Sequence, residues 1–361
     1  MKIFIDIGHP AHVHYFKYLI RILKSRDYNF FITARNKEMT QYLLNKYELD
    51  YVDRGKGSDS FWGKLYNLFK ANKLLLIKAK AFKPDLFISF ASPYAAQTSK
   101  MLGIPSITFD DTESARFGHL MYKNFTSCIL TPDCFEKNFG GKHLKFAGYM
   151  ELSYLHSNYF KHCTSIFKFL DLNDNEPYVL LRFVSWSASH DFGLKGISIE
   201  NKIKAVEKFS EFGKVFITAE NNLPQELEKY KIEIPPELIH HVIYYASLLL
   251  GESATMASEA AVLGTPAIYI DNIGRGYTKE QENKFGLVFN YTSSESDQEK
   301  AINKGIELLK NKNLEEKFQK RRQKMLSDKI DVTAFMVWFI ENYPESFKIM
   351  KENPDYQYRF K

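Results

Sequence analysis

Short apolar runs alternate along this chain with longer segments in which apolar residues recur every three or four positions. A run of four to six apolar residues bounded by Gly, Pro or polar residues predicts a buried strand, and the longer spacing predicts an amphipathic helix. We predict strands over residues 3–8, 29–34, 51–53, 85–90, 104–109, 127–131, 144–147, 178–184, 214–219, 246–250, 267–270 and 287–289. We predict helices over residues 13–24, 37–47, 61–82, 93–102, 114–123, 153–175, 199–212, 223–230, 235–245, 255–263, 281–285, 298–310, 314–327 and 332–342.

Strands that alternate with helices at such short spacing indicate parallel sheets covered on both faces. The polar, turn-rich segment DLNDNEP at residues 171–177 separates two such series. The predicted fold class is therefore α/β, with two Rossmann-like domains in tandem and parallel sheets that face a central cleft. Because ligands of open parallel sheets bind at the carboxyl ends of the strands, both domains would present their loops to that cleft.

The pattern divides the chain into four regions. These are an N-terminal domain over residues 1–152, a connecting segment over 153–176, a second domain over 177–330 and a C-terminal helix and tail over 331–361. A chain of 361 residues is long enough for two hydrophobic cores of ordinary size. The polar tail either packs back on the first domain or frays.

Composition places the chain among soluble globular proteins, with 45% hydrophobic and 25% charged residues. Its net charge of +6 is spread along the chain, which argues against a nucleic-acid partner and leaves open an anionic ligand, an anionic membrane face or a plain solvated surface. The three cysteines have no metal-ligand spacing, and the chain lacks a signal peptide and any run of 18 apolar residues. We therefore expect a cytoplasmic protein with reduced thiols.

The stretch GESATMASEAAVLGTPAIYI, residues 251–270, carries the clearest chemistry. Gly251, Ser253 and Thr255 predict a tight turn from a strand into a helix that ends at Gly264. Small residues at a helix N-terminus leave backbone N–H groups open to an anion. With the carboxylate of Glu259 nearby for a ribose, the stretch predicts a nucleotide site.

Three histidines follow the first strand within six residues: His9, His12 and His14. His12 falls near the N-terminus of the following helix, where a neutral imidazole can take a proton from an acceptor hydroxyl. A packing role and a metal site are the alternatives, although no second ligand cluster at suitable spacing supports a metal.

Three acids in four residues end the strand over 104–109: Asp110, Asp111 and Glu113. They could orient a histidine, bind sugar hydroxyls or act as a base, since acids there are rarely buried for packing alone. The alternative is that Asp111 or Thr112 caps a helix that starts near Ser114.

Two groups in the second domain could contact a donor. Arg182 ends a strand and is followed by Ser185 and Ser187, which could grip a diphosphate together. Tyr277 and Glu280 lie in the Gly-containing segment 272–282, which is either a loop that closes over a sugar or an ordinary surface loop. His240 and His241 fall near the place where a base would stack, although such residues are more often on the helix surface.

The predicted helix over residues 61–82 contains five lysines and no acid. A basic amphipathic helix can lie on the anionic inner leaflet of a membrane, and it can equally be the helix that covers the first sheet.

Four segments of this sequence resemble an uncharacterised family of bacterial and archaeal proteins that are predicted GT-B glycosyltransferases. They are GHPAHVHYFK at 8–17, FDDTESA at 109–115, LRFVSWSASHD at 181–191 and GESATMASEAAVLGTPAI at 251–268. More distantly, the chain is similar to the N-acetylglucosaminyltransferase that completes lipid II and to the non-hydrolysing UDP-N-acetylglucosamine 2-epimerases. The epimerases carry an Arg-Arg-Glu-Asn motif, of which only Arg182 is present here.

The resemblance implies roles for particular positions. Ala11-His12-Val13 matches an acceptor-side His-Val, which makes His12 the expected base with Asp110 or Asp111 in support. Glu259 would bind the ribose, and the turn at residues 253–256 the diphosphate. Residue chemistry and the resemblance together give the predicted donor set: Arg182, Ser185, Ser187, His240, Gly251, Glu252, Ser253, Ala254, Thr255, Met256, Glu259, Tyr277 and Glu280. His9, His14 and Glu113 are assigned to the acceptor side, and no metal is implied.

These observations predict a metal-independent glycosyltransferase of cell-surface polysaccharide biosynthesis. It would move a sugar from a UDP-sugar, or another nucleotide sugar, to a glycan or lipid-linked acceptor, and it would need no other cofactor. It would be cytoplasmic, with peripheral membrane contact through residues 61–82 as an additional possibility. The alternatives are an enzyme like the UDP-sugar 2-epimerases and a non-catalytic nucleotide-sugar binding protein.

Overall fold

A computed structural model describes residues 1–37, 39–57, 61–174, 176–184, 196–220 and 222–361. The side chains of residues 61, 62, 64 and 65 are outside this description. The chain forms two compact units. The N-terminal unit comprises Met1–Tyr159 and Lys329–Lys361, and the C-terminal unit comprises Phe160–Asp328.

The N-terminal unit contains seven strands, all parallel to their neighbours, in the order β3-β2-β1-β4-β5-β6-β7. They are β1 (Lys2–Ile7), β2 (Asn29–Ala34), β3 (Val52–Asp53), β4 (Leu86–Phe90), β5 (Ser106–Phe109), β6 (Cys128–Pro132) and β7 (His143–Phe146). The strand order reverses between β1 and β4, so the loops after these two strands diverge at the carboxyl edge of the sheet.

Six helices lie between these strands or directly after them. They are α1 (Pro10–Lys24), α2 (Thr40–Lys46), α3 (Phe61–Phe82), α4 (Pro93–Leu102), α5 (Arg116–Tyr122) and α6 (Leu152–Leu155). Leu75 and Ala79 of α3 pack in one cluster with Phe4 and Phe87 of the sheet. Burial of apolar side chains of this kind stabilises the fold by roughly 1.5–3 kcal/mol per large residue. Helix α3 therefore covers the first sheet.

The C-terminal unit contains five parallel strands in the order β12-β11-β10-β8-β9. They are β8 (Tyr178–Phe183), β9 (Lys214–Ala219), β10 (Leu248–Gly251), β11 (Ala267–Ile270) and β12 (Val288–Tyr291). Its helices are α7 (Ser165–Phe169), α8 (Ile199–Phe209), α9 (Gln225–Glu228), α10 (Ile239–Tyr245), α11 (Ala254–Leu263), α12 (Gly276–Asn283), α13 (Glu295–Leu309) and α14 (Leu314–Asp328). Here the strand order reverses between β8 and β10.

The last segment of the chain completes the N-terminal unit. It forms α15 (Val332–Glu341), α16 (Glu345–Glu352) and a 3₁₀ helix over Pro354–Phe360. Helix α15 packs on α1 and α6, and Thr333 Oγ1 donates to the carbonyl of Ser153 at 2.7 Å. Gln357 Oε1 accepts the backbone N–H of Ala147 at 2.6 Å.

The predicted fold class is confirmed, because both units are α/β structures with parallel sheets. The predicted helix over residues 153–175 is wrong. The short helices α6 and α7 stand there, separated by residues 156–164, and Asp171 adopts a left-handed conformation at φ 52°. Within the described residues, no helix is long and apolar enough to cross a membrane.

Candidate functional site

The loop after β10 forms the mouth of α11 in the C-terminal unit. Ser253 is the N-cap residue, and its Oγ accepts the N–H of Met256 at 3.3 Å. The N–H groups of Ala254 and Thr255 find no acceptor in the described part of the chain. Both residues are half-buried at the positive end of a ten-residue helix, where an anion is stabilised. The predicted phosphate turn is thus open at two amides, whereas the amide of Met256 is already used.

Gly251 and Glu252 hold the backbone around this mouth. A Cβ at Gly251 would lie 2.4 Å from the carbonyl oxygen of Arg182, so the glycine is required by close strand pairing. Glu252 is buried, and its two oxygens accept the N–H groups of Val184 at 2.9 Å and Ile197 at 2.6 Å. Both residues therefore hold the backbone framework, and their role as donor contacts stays a prediction.

Glu259 lies five residues into α11 and is buried. Its Oε1 lies 2.9 Å from Nε2 of His240, a buried residue of α10. The interpretation of His240 as helix surface is therefore wrong, while the structure brings it together with Glu259. A carboxylate that accepts an imidazole N–H is fixed in orientation and keeps acceptor capacity for further donors.

The predicted diphosphate grip is described only in part. Arg182 lies in β8, with Nη2 2.6 Å from Oε1 of Glu220 and a buried Nε that has no acceptor among the described residues. Its charge is thus already paired in this state. Ser185 and Ser187 lie outside the described residues.

The predicted flexible segment over residues 272–282 is mostly helix α12, which begins at Gly276. Tyr277 is buried in that helix, so its prediction as a mobile contact to a sugar does not fit its position. Glu280 is half-buried on the same helix, with Oε1 4.0 Å from Lys284 Nζ. Only Asn272–Arg275 remains as a loop after β11.

His12 lies in the first turn of α1, half-buried beside Phe90, with ring centroids 4.7 Å apart. Its Nδ1 accepts the backbone N–H of Gly8 at 3.2 Å. Burial, followed by the positive charges of His9, Lys37 and Arg54, holds the pKa of His12 well below its usual value. The ring is therefore neutral and carries its proton on Nε2, because Nδ1 must supply the lone pair. In this arrangement Nε2 donates a hydrogen bond and cannot accept a proton, which does not fit the predicted role as a base.

The other two histidines of the first loop have local partners. His9 is the N-cap residue of α1, and its Nδ1 accepts the N–H of Ala11 at 3.2 Å. His14 is buried, with its ring 5.2 Å from that of Tyr154 and its Nδ1 3.4 Å from Lys17 Nζ. The ring of His14 thus takes part in the packing between α1 and α6, and its assignment to the acceptor side stays a prediction.

The acid loop after β5 is organised around a histidine that the sequence did not single out. Asp110 is fully buried and accepts from Thr112 N–H at 3.0 Å and from the hydroxyl of Tyr122. Nε2 of His119 lies 3.1 Å from its Oδ2. Asp110 therefore has three partners on its own loop and on α5, none of which is His12. This arrangement does not support its prediction as a partner of His12.

Neither remaining acid of this loop caps α5. Asp111 is buried, and its Oδ1 accepts from Thr112 Oγ1 at 3.0 Å. The helix starts at Arg116, and its N-cap residue Ala115 has no side chain for capping. The capping interpretation is thus wrong, and Glu113 is half-buried nearby.

A buried network at the carboxyl edge of the first sheet was missed by the sequence analysis. Asp6 of β1 is fully buried, and its Oδ1 accepts from Thr33 Oγ1 at 2.8 Å and from Arg54 Nε at 2.9 Å. Its Oδ2 accepts from Ser92 Oγ at 2.5 Å. Ser92 is also the N-cap residue of α4. One carboxylate thus connects the ends of β1, β2, β3 and β4. Its sequence signal was an acid inside the apolar run IFIDI, since an acid is rarely buried without a partner.

Solved structures with the same fold support the assignment of fold class. The UDP-GlcNAc 2-epimerase of Neisseria meningitidis bound to UDP-GlcNAc is 16% identical, with a TM-score of 0.68 and coverage of 88% of this chain and 94% of that one. A spinosyn rhamnosyltransferase complexed with thymidine diphosphate is 12% identical, with a TM-score of 0.62 and coverage of 94% and 100%. At these identities the likeness shows the fold, and the predicted structural resemblance to glycosyltransferases and UDP-GlcNAc 2-epimerases is confirmed.

Sequence comparison places the chain in a family. An uncharacterized protein of the archaeon Methanocaldococcus jannaschii is 24% identical over 280 residues, which cover 74% of this chain and 81% of that protein. Residues 1–343 match the family described as "Protein of unknown function (DUF354)". Since this match spans most of the chain, the protein belongs to the DUF354 family.

Proposed function

We propose that this protein is a glycosyltransferase that moves a sugar from a nucleotide-sugar donor to a glycan or lipid-linked acceptor in cell-surface polysaccharide biosynthesis. The observation that carries the proposal is the buried Glu259–His240 pair beside two open amides at the N-terminus of α11. Glu259 would accept the ribose hydroxyls, and the amides of Ala254 and Thr255 would hold the diphosphate. Two of the solved structures that share this fold contain UDP-GlcNAc and thymidine diphosphate, respectively, which supports a nucleotide-sugar ligand.

No metal is needed for the departure of the diphosphate in this proposal. The N-terminus of α11 supplies partial positive charge and N–H donors where negative charge develops on the leaving group. Arg182 would add a full charge once a phosphate competes with Glu220 for its guanidinium.

On the N-terminal unit, we assign His12 to binding of the acceptor through its Nε2–H. This replaces the base role, because the lone pair on Nδ1 is used by Gly8 N–H. A neutral imidazole that donates from a fixed position can orient an acceptor hydroxyl or phosphate oxygen.

Helix α3 could bring the enzyme to a lipid-linked acceptor. Tyr66 and Phe69 are each 66% exposed, and Ile77 is 54% exposed. Residues 66, 69 and 77 are separated by about one and two helical turns, so they lie on one face of the helix. The exposed lysines 70, 73 and 80 lie on the same face. Aromatic and basic residues on one helix face are typical of contact with an anionic leaflet.

Nucleotide binding tests the donor half of the proposal. Isothermal titration with UDP, TDP and GDP, and with their sugars, should detect at least one ligand. Glu259→Gln should weaken that ligand at least about tenfold, because a neutral amide is a poorer acceptor for two ribose hydroxyls. Glu299→Gln is the matched control, since this exposed carboxylate of the same unit pairs with Lys204 on the surface. Equal affinities for both variants would contradict the donor site.

The reaction itself separates a transferase from an epimerase. A transferase releases free nucleotide only when an acceptor is added, whereas an epimerase interconverts donor sugars without an acceptor. The epimerase alternative is disfavoured by the residues after Arg182, because Phe183 and Val184 replace the second Arg and the Glu of the epimerase motif.

A further inference from the structure

We propose that the loop formed by Gly8 to His12 in the N-terminal unit is an oxyanion site that binds a phosphate or diphosphate group. Its donors are the guanidinium of Arg54 and Nε2–H of His12, which lie beside the positive end of α1. The assignment of this phosphate to the acceptor substrate rests on the transferase function proposed above, whereas the anion site does not.

The first argument is the state of Arg54. Its side chain is only 7% exposed. Nε donates to Asp6 Oδ1 at 2.9 Å, and the guanidinium carbon lies 4.4 Å from the ring centroid of Tyr94. Within the described residues, neither Nη1 nor Nη2 has an acceptor. Four N–H donors of a nearly buried, permanently charged group thus have no partner among the described residues, and a bound oxyanion would satisfy them.

The second argument is that these two side chains lie close to the same point. A Cβ built on Gly8 would lie 3.6 Å from Nη2 of Arg54 and 3.6 Å from Cε1 of His12. The guanidinium and the imidazole therefore approach the same point beside the backbone of Gly8. Because Nδ1 of His12 is bonded to Gly8 N–H, Nε2 is the ring atom that carries the proton, and it has no hydrogen-bond partner among the described residues.

The third argument is the place of this point in the fold. It lies at the N-terminus of the 15-residue helix α1, after β1. The strand order of the sheet reverses at β1 and β4, where ligands of parallel sheets characteristically bind.

The charge balance also favours an anion. Both oxygens of Asp6 accept from Thr33, Arg54 and Ser92, so these donors compensate the charge of the buried carboxylate. Arg35 follows β2 at the same edge of the sheet, and its buried Nε has no acceptor in the described part of the chain. A forked guanidinium binds two phosphate oxygens at once. These features favour phosphate over a neutral glycan hydroxyl.

Histidine NMR on the full-length protein tests the site directly. The ten histidine side chains are labelled with ¹⁵N, and the signals of His12 and His240 are identified by their loss in His12→Gln and His240→Gln. Pyrophosphate at constant ionic strength should shift the His12 signals in a saturable way. UDP should shift the signals of His240, which is bonded to Glu259. If the nucleotide proposal is wrong, UDP should not shift the His240 signals, whereas pyrophosphate should still shift those of His12.

Two variants perturb the site with little risk to the fold. Gly8→Ala places a methyl group at ordinary contact distance between the two donors, and Arg54→Lys keeps the charge beside Asp6 but removes the fork. Each should weaken pyrophosphate at least about tenfold. Arg26→Lys is the matched control, because Arg26 is an exposed arginine of the same unit, paired with Glu341. An unshifted His12 signal, or equal losses in Arg54→Lys and Arg26→Lys, would overturn the proposal.

A second arm separates the two sources of phosphate. Phosphatidylcholine vesicles with and without a polyprenyl phosphate are added to the wild-type protein and to Arg54→Lys. A lipid-linked ligand predicts binding that depends on both the polyprenyl phosphate and Arg54. If the vesicles leave the His12 signals unchanged while pyrophosphate shifts them, the site binds a soluble phosphate.

Discussion

The backbone hydrogen bond from Gly8 to Nδ1 determines which chemistry His12 can perform. It leaves Nε2 as a donor, and Gln can present an amide N–H in nearly the same position. We therefore expect His12→Gln to keep most of the transferase activity, whereas His12→Ala should lose at least about tenfold. Initial rates with a defined donor and acceptor would measure this. If His12 is instead the base, both variants lose activity equally, and an acidic limb disappears from the pH profile.

A second prediction concerns His143 in β7. Its Nδ1 accepts the N–H of Phe139, Nε2 bonds to Thr131 Oγ1 at 2.9 Å, and the residue is 8% exposed. Burial, together with Lys145 and Lys351, lowers the pKa of His143 to about 4, although Asp110 opposes the shift. Below the ordinary pKa of about 6.5, the unfolded chain takes up a proton that the folded chain does not.

The N-terminal unit should therefore lose stability as the pH falls from about 6.5 to 4, with a contribution from His143 on the order of 3 kcal/mol. Urea unfolding at several pH values measures it. His143→Gln should be less stable at pH 7 but should show a flatter dependence on pH. The exposed His162 of the C-terminal unit provides the control, and His162→Gln should leave the slope unchanged. Identical slopes in the wild type and His143→Gln would refute the assignment.

The sequence identified the residues of the donor turn more reliably than their partners. Glu259 and Ser253 belong to one local segment, and helix periodicity with capping rules places both. Arg54 and His119 escaped detection because their importance depends on Asp6 and Asp110. Asp6 is 48 residues from its arginine along the chain, and Asp110 bonds a histidine on a neighbouring helix. No local pattern encodes such pairings.

At the scale of elements, all twelve predicted strands are present, several with identical bounds. Parallel strands buried on both faces give continuous apolar runs, which are the clearest signal in this chain. The helix predicted over residues 153–175 is wrong because the periodicity of apolar residues does not show that Asp171 adopts a left-handed conformation. Helix α12 was predicted five residues too late, since Gly276 appeared to belong to a loop although it begins the helix.

Helix α3 supports a prediction about membranes. Replacing Tyr66 and Phe69 with Ser removes two largely exposed aromatic side chains and leaves the buried face of Leu75 intact. Co-sedimentation with phosphatidylglycerol vesicles should weaken at least about tenfold, since each ring contributes apolar contact area. Met101→Ser on α4 is the control, because Met101 is 65% exposed in the same unit. An unchanged affinity in the α3 variant would argue that this helix serves only to cover the sheet.

For the whole molecule, the decisive feature is that the N-terminal unit is discontinuous in sequence. Residues 329–361 return to it after the C-terminal unit is complete. Phe335, Met336 and Phe339 of α15 are fully buried there, so this segment belongs to the hydrophobic core. The sequence left its placement open, because an apolar helix face shows that it is covered but not by which part of the chain.

A chain that ends at Asp328 should therefore lose the N-terminal unit and keep the C-terminal one. Each deleted core side chain lowers the free energy of unfolding by about 2–5 kcal/mol, so the loss of several exceeds the roughly 5–15 kcal/mol that stabilises an ordinary domain. Hydrogen exchange read by mass spectrometry should show rapid exchange in β1 and β4 with continued protection in β8 and β10. Phe339→Ala should weaken protection of β1 and β4 in the same direction, while Lys348→Ala on the exposed face of α16 should not. Loss of protection across all four strands would instead mean that the two units fold as one cooperative body.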